Sequence, residues 1–413
     1  MTATILAVFV LVYLGMILGG LPFLQLDRTG IALLGAIALM ALEAVSLEEA
    51  WAAVHVPTLI LLFAFMVISA QLRLGGFYTF VTRRLTALPL SPPALLALLI
   101  AAVAGLSAVF SNDIVCLAMA PVLIEACRER RLDPVPYLLA LACGANIGSA
   151  ATLIGNPQNM LIGERLEMSF AGYLREAAVP VTMGLVITWA VIVLGTRGRW
   201  SQPLPAPFPT ERREEAGVPF DRWQVVKGLS VAVFLFAAFV LTAWPRELLA
   251  LGGAGLLLMS RRLHSRHMLG LVDWQLLVLF IGLFVVNHAL EKTGLPAWLV
   301  AELAQEGLDL RSPMPLFLTT FVLSNLVSNV PAVMLLLPVA SHPMAGTLLA
   351  LASTLAGNLL IVGSIANIIV VEAAARYGVR IDWRRHARVG VPVTLATLTV
   401  AGIYLAWRAG AAG

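Results

Sequence analysis

The stretch SAVFSNDIVC (residues 107–116) places two serines, an asparagine and an aspartate inside an otherwise apolar run. Residues 324–333, SNLVSNVPAV, repeat its first part, since both stretches contain Ser-x3-Ser-Asn. The next position differs: it is Asp113 in the first stretch and Val330 in the second. Irregular or polar segments persist at membrane depth only where protein or a wet cavity surrounds them. Two matched interruptions therefore predict a polar site built twice within one membrane protein.

The composition around these stretches is that of a membrane protein. The chain has 413 residues, of which 60% are hydrophobic and 12% charged, and its mean hydropathy is +0.91. Soluble domains carry about 25% charged residues. We therefore predict an all-α polytopic protein, with the first apolar run retained as a span rather than cleaved as a signal peptide. Uninterrupted spans are predicted at 3–24, 29–44, 56–72, 174–196, 224–243, 247–260, 274–290 and 387–407.

Four further apolar runs are interrupted by polar or glycine-containing stretches, and they occur as two matched pairs. The first pair is 93–127 and 135–168, and the second is 313–345 and 346–376. Each pair follows similar spans, so we predict two repeats, residues 1–197 and 223–413, joined by a Pro-rich charged linker at 198–222. Matched broken segments in two halves typically mark the binding site of a secondary transporter. Kinked helices without function remain the alternative.

The distribution of basic residues predicts the topology. If 93–127 and 313–345 are re-entrant hairpins, 21 of the 27 Lys and Arg residues lie on one side. The positive-inside rule makes that side cytoplasmic. Ten spans and two hairpins then form inverted repeats, with both termini outside and with 128–134 and 376–388 in the cytoplasm. The net charge of +4 follows from these loops and does not indicate a nucleic-acid partner.

Hairpin tips and helix breaks supply the candidate binding groups. Loose carbonyls bind cations, helix N-termini favour anions or polar ligands, and glycine lets backbones approach closely. Hydroxyl and amide side chains add to these backbone groups. The predicted substrate or ion site comprises Ser107, Ser111, Asn112, Asp113, Asn146, Gly155, Asn156 and Asn159 in the first repeat, and Ser324, Ser328, Asn329, Asn358, Gly363 and Asn367 in the second.

Asp113 is the one acidic residue predicted to lie deep in the bilayer. Burying a carboxylate there costs roughly 2.5–3.5 kcal/mol on insertion scales, so such residues normally serve as proton relays or cation ligands. We expect Asp113 to carry the coupling ion, with a proton as the first choice. The alternative is that Asp113 caps the helix that follows, since aspartate is a favoured N-cap residue.

This order of motifs resembles the ion transporter superfamily over nearly the whole chain. That group includes ArsB-type arsenite and antimonite efflux permeases, NhaD-type sodium/proton antiporters and divalent anion:sodium symporters. The symporters carry Ser-Asn-Thr at both tips, whereas here Asp113 or Val330 follows the Ser-Asn pair. The Asn112-Asp113 pair is more similar to the permeases and proton antiporters. The resemblance implies sites built from the hairpin tips and broken helices.

The leading expectation is a proton-coupled arsenite or antimonite efflux antiporter in the inner membrane. The alternatives are a sodium-coupled anion or dicarboxylate symporter and a sodium/proton antiporter. No nucleophile–base pair, metal motif or nucleotide loop is visible, so we expect no enzyme activity and no cofactor. Any ATPase that energises transport would be a separate chain. The expected partners are the ion substrate, a coupling proton or sodium, and the lipid bilayer; the oligomeric state is left open.

Two other groups of residues could take part. Cys116, Cys127 and Cys143 lack metal spacing, so we expect packing residues, with arsenite ligation by cysteine as the alternative. His288, in the segment VVNHAL, could relay protons, although a histidine near a span end is more often simply hydrogen-bonded.

Overall fold

In the computed structural model, which describes residues 1–20, 24–201 and 218–411, every regular element is helical. The helices are α1 (Thr2–Leu18), α2 (Arg28–Ala41), α3 (Leu47–Ala53), α4 (Val56–Leu74), α5 (Phe77–Thr86), α6 (Pro92–Val109), α7 (Asn112–Glu129), α8 (Pro134–Ser149), α9 (Pro157–Arg165), α10 (Phe170–Thr196), α11 (Arg222–Leu241), α12 (Arg246–Leu258), α13 (Ser265–Leu269), α14 (Trp274–Lys292), α15 (Leu295–Gln305), α16 (Pro313–Val327), α17 (Asn329–Leu336), α18 (Ala345–Ala356), α19 (Ile365–Arg376) and α20 (Trp383–Ala411). Short 3-10 turns occupy Leu337–Val339 and Ile361–Gly363.

The predicted polytopic all-α fold is confirmed. Six of the described helices are long and apolar enough to cross a membrane alone: α4, α6, α10, α11, α14 and α20. The other predicted spans are shorter helices or pairs of helices separated by a break. The first span was predicted to reach residue 24, but α1 ends at Leu18 because Gly19 adopts a left-handed conformation with φ 75°.

Helices from the first part of the chain pack against helices from the second part in a reciprocal way. α2 packs against α14, and α12 packs against α4. The α2–α14 crossing is close, since a Cβ at Gly282 would lie 2.7 Å from the backbone carbon of Ala32. Two short helices that the sequence did not suggest, α5 and α15, both begin after a glycine with positive φ. These are Gly76 at 73° and Gly294 at 71°.

The first interrupted run folds as two helices, α6 and α7, and the end of α7 lies beside the start of α6. α6 ends at Val109 and α7 begins at Asn112. At the end of α7, the Arg130 guanidinium donates hydrogen bonds to the carbonyls of Thr86, Leu88 and Leu90, which precede α6. The chain therefore returns, at the end of α7, to the place where α6 began.

The helix after each pair runs alongside the first helix of that pair. A Cβ at Gly144 would lie 3.8 Å from Ile100, and one at Gly148 would lie 2.3 Å from Ala104, so α8 runs parallel to α6. In the second part of the chain, α18 packs against α16. In both cases the junction between the two paired helices lies near the point where the following helix, α8 or α18, is interrupted. The linker predicted at 198–222 lies outside the described residues over 202–217.

Candidate functional site

Two helix breaks form the backbone of the site. α8 and α9 are separated by residues 150–156, and α18 and α19 by residues 357–364. Asparagine side chains bond the backbone carbonyls that each break exposes: Asn159 Nδ2 donates to the Thr152 carbonyl, and Asn367 Nδ2 donates to the Leu360 carbonyl. Buried carbonyls need such partners. Thr152 and Leu360 occupy the same position relative to Asn159 and Asn367, so the two breaks are stabilised alike.

The junction of α6 and α7 around Ser111 is the first tip, and the junction of α16 and α17 around Ser328 is the second. Each tip contacts the break of its own part of the chain. The Asn112 backbone N–H donates to the Gly155 carbonyl at 3.4 Å. Gly155 has no room for a side chain, because a Cβ there would lie 2.7 Å from the Ser107 carbonyl. At the second tip, a Cβ on Gly357 would lie 3.3 Å from Asn329 Nδ2. A Cβ on Gly363 would lie 3.4 Å from the Oδ1 atom of Asn325, a residue that sequence reasoning did not select.

Asn146, near the end of α8, joins the two parts of the site. Its Oδ1 accepts from Asn112 Nδ2 at 3.1 Å and from Ser364 Oγ at 2.8 Å. Its Nδ2 donates to Asn358 Oδ1 at 2.9 Å and to Asn367 Oδ1 at 3.1 Å. The side chain is 2% exposed. One amide group therefore makes four hydrogen bonds, three of them to residues in the second break or in the first turn of α19.

The first break receives the reciprocal contact from the second part of the chain. Thr354 precedes Gly363 by nine residues, as Asn146 precedes Gly155. Thr354 Oγ1 accepts from Asn156 Nδ2 at 3.2 Å and donates to Asn159 Oδ1 at 3.5 Å. Each part of the chain thus contributes a hydrogen-bonding side chain to the break in the other part.

The two tips leave the same kinds of atom without a partner. Ser107 Oγ and Asn112 Oδ1 at the first tip, and Ser324 Oγ and Asn329 Oδ1 at the second, make no hydrogen bond within the described residues. Ser107 and Ser324 are almost fully buried. A buried polar atom without a partner normally costs free energy. The serine and asparagine oxygens of both tips are therefore candidate ligands for a bound ion or polar molecule.

Asp113 is half-buried in the first turn of α7, next to Asn112. The alternative that it caps the helix is not what the structure shows. Ser111 occupies the N-cap position, and no backbone N–H among the described residues donates to the Asp113 carboxylate. A carboxylate in the first turn still interacts favourably with the helix dipole. Asp113 thus lies beside the tip without filling a structural cap.

Ser328 gives the second tip a strained backbone that the first tip lacks. Its φ of 76° and ψ of 161° lie in a region that essentially only glycine adopts. Ser111, its sequence counterpart, has an ordinary φ of −52°. The two Ser-Asn tips therefore share a sequence pattern but differ in conformation.

We expect Ser328→Gly to raise the free energy of unfolding by about 1 kcal/mol, because strain of this kind costs about 1–3 kcal/mol and glycine relieves it. Thermal unfolding of the purified protein measures the change. Ser111→Gly is the matched control: it should lower stability, since it only adds freedom to the unfolded chain. A loss of stability in both variants would contradict the strain argument.

Several candidates lie elsewhere. His288 lines a cavity of about 380 Å³ together with Arg165, Asn287 and Glu291, at the ends of α9 and α17 that lie away from the breaks. α17 is about 12 Å long at 1.5 Å per residue, so His288 is well separated from the tips. The three cysteines are buried, and none of them hydrogen-bonds to the asparagine network.

The structure brings together most of the residues that the sequence indicated. Asn112, Asn146, Asn358 and Asn367 form one network of side chains. Asn156 and Asn159 both bond to Thr354, and Asn156 connects to the Asn146 backbone carbonyl through Ser149. Gly155 and Gly363 lie against the tips. Ser107, Ser111, Ser324, Ser328 and Asn329 lie at the tips without side-chain hydrogen bonds among the described residues. Sequence reasoning missed Ser364 and Thr354. Aligning GNPQN (155–159) with GSIAN (363–367) would have found both, because they occupy the positions of Asn156 and Asn146.

Two polar helix breaks buried among packed apolar helices are typical of the binding sites of membrane transporters. The citrate transporter family (CitMHS) matches residues 9–356, and the chain belongs to this family. Similar proteins include a 46 kDa membrane protein of Mycobacterium leprae, 29% identical over 92% of this chain and 94% of its own. The silicon efflux transporter LSI3 of Oryza sativa subsp. japonica is 29% identical over 93% of each chain. Inner membrane protein YbiR of Escherichia coli is 29% identical over 82% of this chain and 85% of its own.

A solved structure shares the fold. MtrF of Neisseria gonorrhoeae, whose structure is described as illuminating a class of antimetabolite efflux pumps, superposes with a TM-score of 0.59. The match covers 98% of this chain and 94% of MtrF at 12% sequence identity. This likeness concerns the fold alone.

Proposed function

We propose that this chain is a proton-coupled efflux transporter for small, neutral, hydroxyl-bearing inorganic acids, with arsenite and antimonite as the first substrates to test. One observation carries this proposal: both tips present unpaired oxygen acceptors, Ser107 Oγ with Asn112 Oδ1 and Ser324 Oγ with Asn329 Oδ1. Acceptors of this kind suit a ligand that donates O–H hydrogen bonds. Arsenite at neutral pH is mostly a neutral trihydroxide, which is such a ligand.

The charge of the site supports a neutral substrate over an anion. No lysine or arginine takes part in the hydrogen-bonded network described above, whose members are amides, hydroxyls and backbone groups. Asp113 adds a negative charge beside the first tip, and that charge would repel a dianion. The name of the rice relative, a silicon efflux transporter, points in the same direction. Silicic acid is also a neutral hydroxide at neutral pH.

A sodium-coupled carboxylate symporter is the second candidate. The family description, citrate transporter, favours it. The unpaired oxygens at the tips are also the type of ligand that hard cations prefer. In this alternative the tips would bind sodium and the carboxylate would lie between them.

Transport into everted membrane vesicles tests the two functions. The vesicles are offered arsenite, antimonite, silicic acid or citrate, with either a pH gradient or a sodium gradient. We expect arsenite uptake that requires an acidic lumen and does not require sodium. Vesicles from cells that lack the protein provide the background. Sodium-dependent citrate transport without arsenite transport would establish the symporter instead.

We also propose that α6–α7 and α16–α17 are re-entrant hairpins in inverted repeats. Two salt bridges support this. The partners of Lys292–Glu49 fall on the same side only if α6–α7 does not cross the membrane as one span, and those of Arg408–Glu176 only if α16–α17 does not. Arg246–Glu164 and Arg262–Asp221 also have both partners on one side, but a single crossing by α6–α7 or by α16–α17 would keep each of these pairs together. Arg128 also donates to the Tyr377 carbonyl, which joins the two loops assigned to the cytoplasm.

Labelling of introduced cysteines tests this topology. We expect Glu129→Cys and Arg384→Cys to react with an impermeant maleimide only in everted vesicles, and Glu167→Cys only in intact cells. All three positions are exposed. The wild-type protein is the control, because its cysteines are buried and should stay unlabelled. Labelling of Glu129→Cys from outside would mean that α6–α7 crosses the membrane.

A further inference from the structure

The last long helix of each repeat touches the break of its own repeat at an equivalent position. Tyr173 is the fourth residue of α10, and its hydroxyl donates to the Ala150 carbonyl at 2.7 Å. His386 is the fourth residue of α20, and its Nε2 lies 3.0 Å from the Asn358 carbonyl. Ala150 and Asn358 each precede the break glycine, Gly155 or Gly363, by five residues. The first repeat uses a phenol for this contact, and the second uses an imidazole.

The surroundings of His386 are shaped around this contact. The side chain is 2% exposed. Gly390, one turn later on α20, leaves the necessary space: a Cβ there would lie 2.8 Å from His386 Nε2 and 2.4 Å from the Asn358 carbonyl oxygen. A carbonyl can only accept a hydrogen bond, so Nε2 carries the hydrogen.

Neighbouring charges on α20 are engaged elsewhere. The Arg385 guanidinium donates to the Arg380 carbonyl, and Asp382 Oδ1 accepts from the Arg385 backbone N–H. The imidazole makes no ion pair within the described residues. Its one hydrogen bond goes to Asn358, whose side-chain Oδ1 accepts from Asn146. One residue, Asn358, therefore connects His386 to the side-chain amide of Asn146, which joins the two repeats.

We propose that His386 is a positioning residue of the transport site. Its Nε2–H fixes the Asn358 backbone, and thereby the orientation in which Asn358 receives the hydrogen bond from Asn146. It acts by donating this hydrogen bond rather than by taking up and releasing a proton. This inference rests on the proposed transport role of the network.

Two amide substitutions separate positioning from proton relay. The side-chain nitrogen of glutamine can reach the place of Nε2, whereas that of asparagine reaches only the place of Nδ1. We expect His386→Gln to keep KM within about twofold of wild type with an unchanged pH profile. His386→Asn should raise KM about tenfold, the effect of losing roughly one hydrogen bond. Gly390→Ala, which forces the same contact apart, should resemble His386→Asn.

The controls keep the outcomes distinct. His267→Asn, at an exposed histidine, should behave as wild type. An equal loss of transport in His386→Gln and His386→Asn, with an altered pH profile, would overturn positioning in favour of a relay. Wild-type kinetics in all three site variants would show that the contact has no role. Absence of transport by the wild type would instead reject the proposed function. Thermal unfolding would still test the contact in that case, with His386→Gln expected to be more stable than His386→Asn.

Discussion

Asn146→Ala is expected to abolish transport while the protein still inserts into the membrane. The substitution removes four hydrogen bonds, to Asn112, Ser364, Asn358 and Asn367. Each buried partner left unsatisfied costs about 1–3 kcal/mol in soluble proteins, and about 0.6 kcal/mol on average for interhelical pairs in membranes. Even the smaller value, summed over four partners, predicts more than a tenfold loss of activity. Initial rates of substrate uptake in vesicles measure it.

Gln71→Leu is the control for general destabilisation. Gln71 is buried and donates to Gln224 at 2.7 Å, but it takes no part in the Asn146 network. We expect this variant to lose stability and retain transport. If Asn146→Ala transported at the wild-type rate, the network would be structural packing and the binding site would lie elsewhere.

Asp113→Asn is expected to uncouple transport from the pH gradient. The substitution keeps size and hydrogen-bonding capacity but removes the group that can gain and lose a proton. Because the carboxylate lies beside Asn112 at the first tip, proton and substrate could compete there, which is the basis of exchange. The variant should therefore bind substrate and exchange it between equal concentrations, yet fail to concentrate it when a pH gradient is applied.

Asp113→Glu provides the matched comparison, since it keeps the carboxylate, and we expect partial proton-driven transport. Full proton-driven efflux by Asp113→Asn would refute the coupling role. If sodium drives the wild type and Asp113→Asn only lowers sodium affinity, the symporter alternative would be correct.

The spans and the location of the breaks were predictable because they depend on hydropathy and on glycine and asparagine placement. The short helices α5 and α15 were not, since they have only 10 and 11 residues and contain no span-length apolar run. Both helices begin directly after a glycine, Gly76 or Gly294, and the sequence alone shows no more than a glycine at these two positions. The conformation of Ser328 could not be predicted either, because Ser111 occupies the same place in the Ser-x3-Ser-Asn pattern and has an ordinary backbone.

The amide residues of the site could be predicted because polar groups inside apolar runs are conspicuous. The hydrogen-bond partners of these residues could not be predicted. Asn146 and Thr354 each bond to the break in the other part of the chain, and only the packing of the two parts decides which break each one reaches. Tyr173 and His386 were missed for a related reason: each lies at the start of a long helix, where a polar ring is ordinary, and only the fold brings it to a break.

The reciprocal bonds of Asn146 and Thr354 also limit how this protein can evolve. Each break takes hydrogen bonds from the other part of the chain, so a change in one part alters the hydrogen bonding of the other. Chimeras that join the first part of this chain, up to residue 197, to the second part of a distant relative should therefore fail unless both bridging positions match. We therefore expect relatives that differ at Asn146 to differ also at Ser364 or Asn367, and relatives that differ at Thr354 to differ also at Asn156 or Asn159.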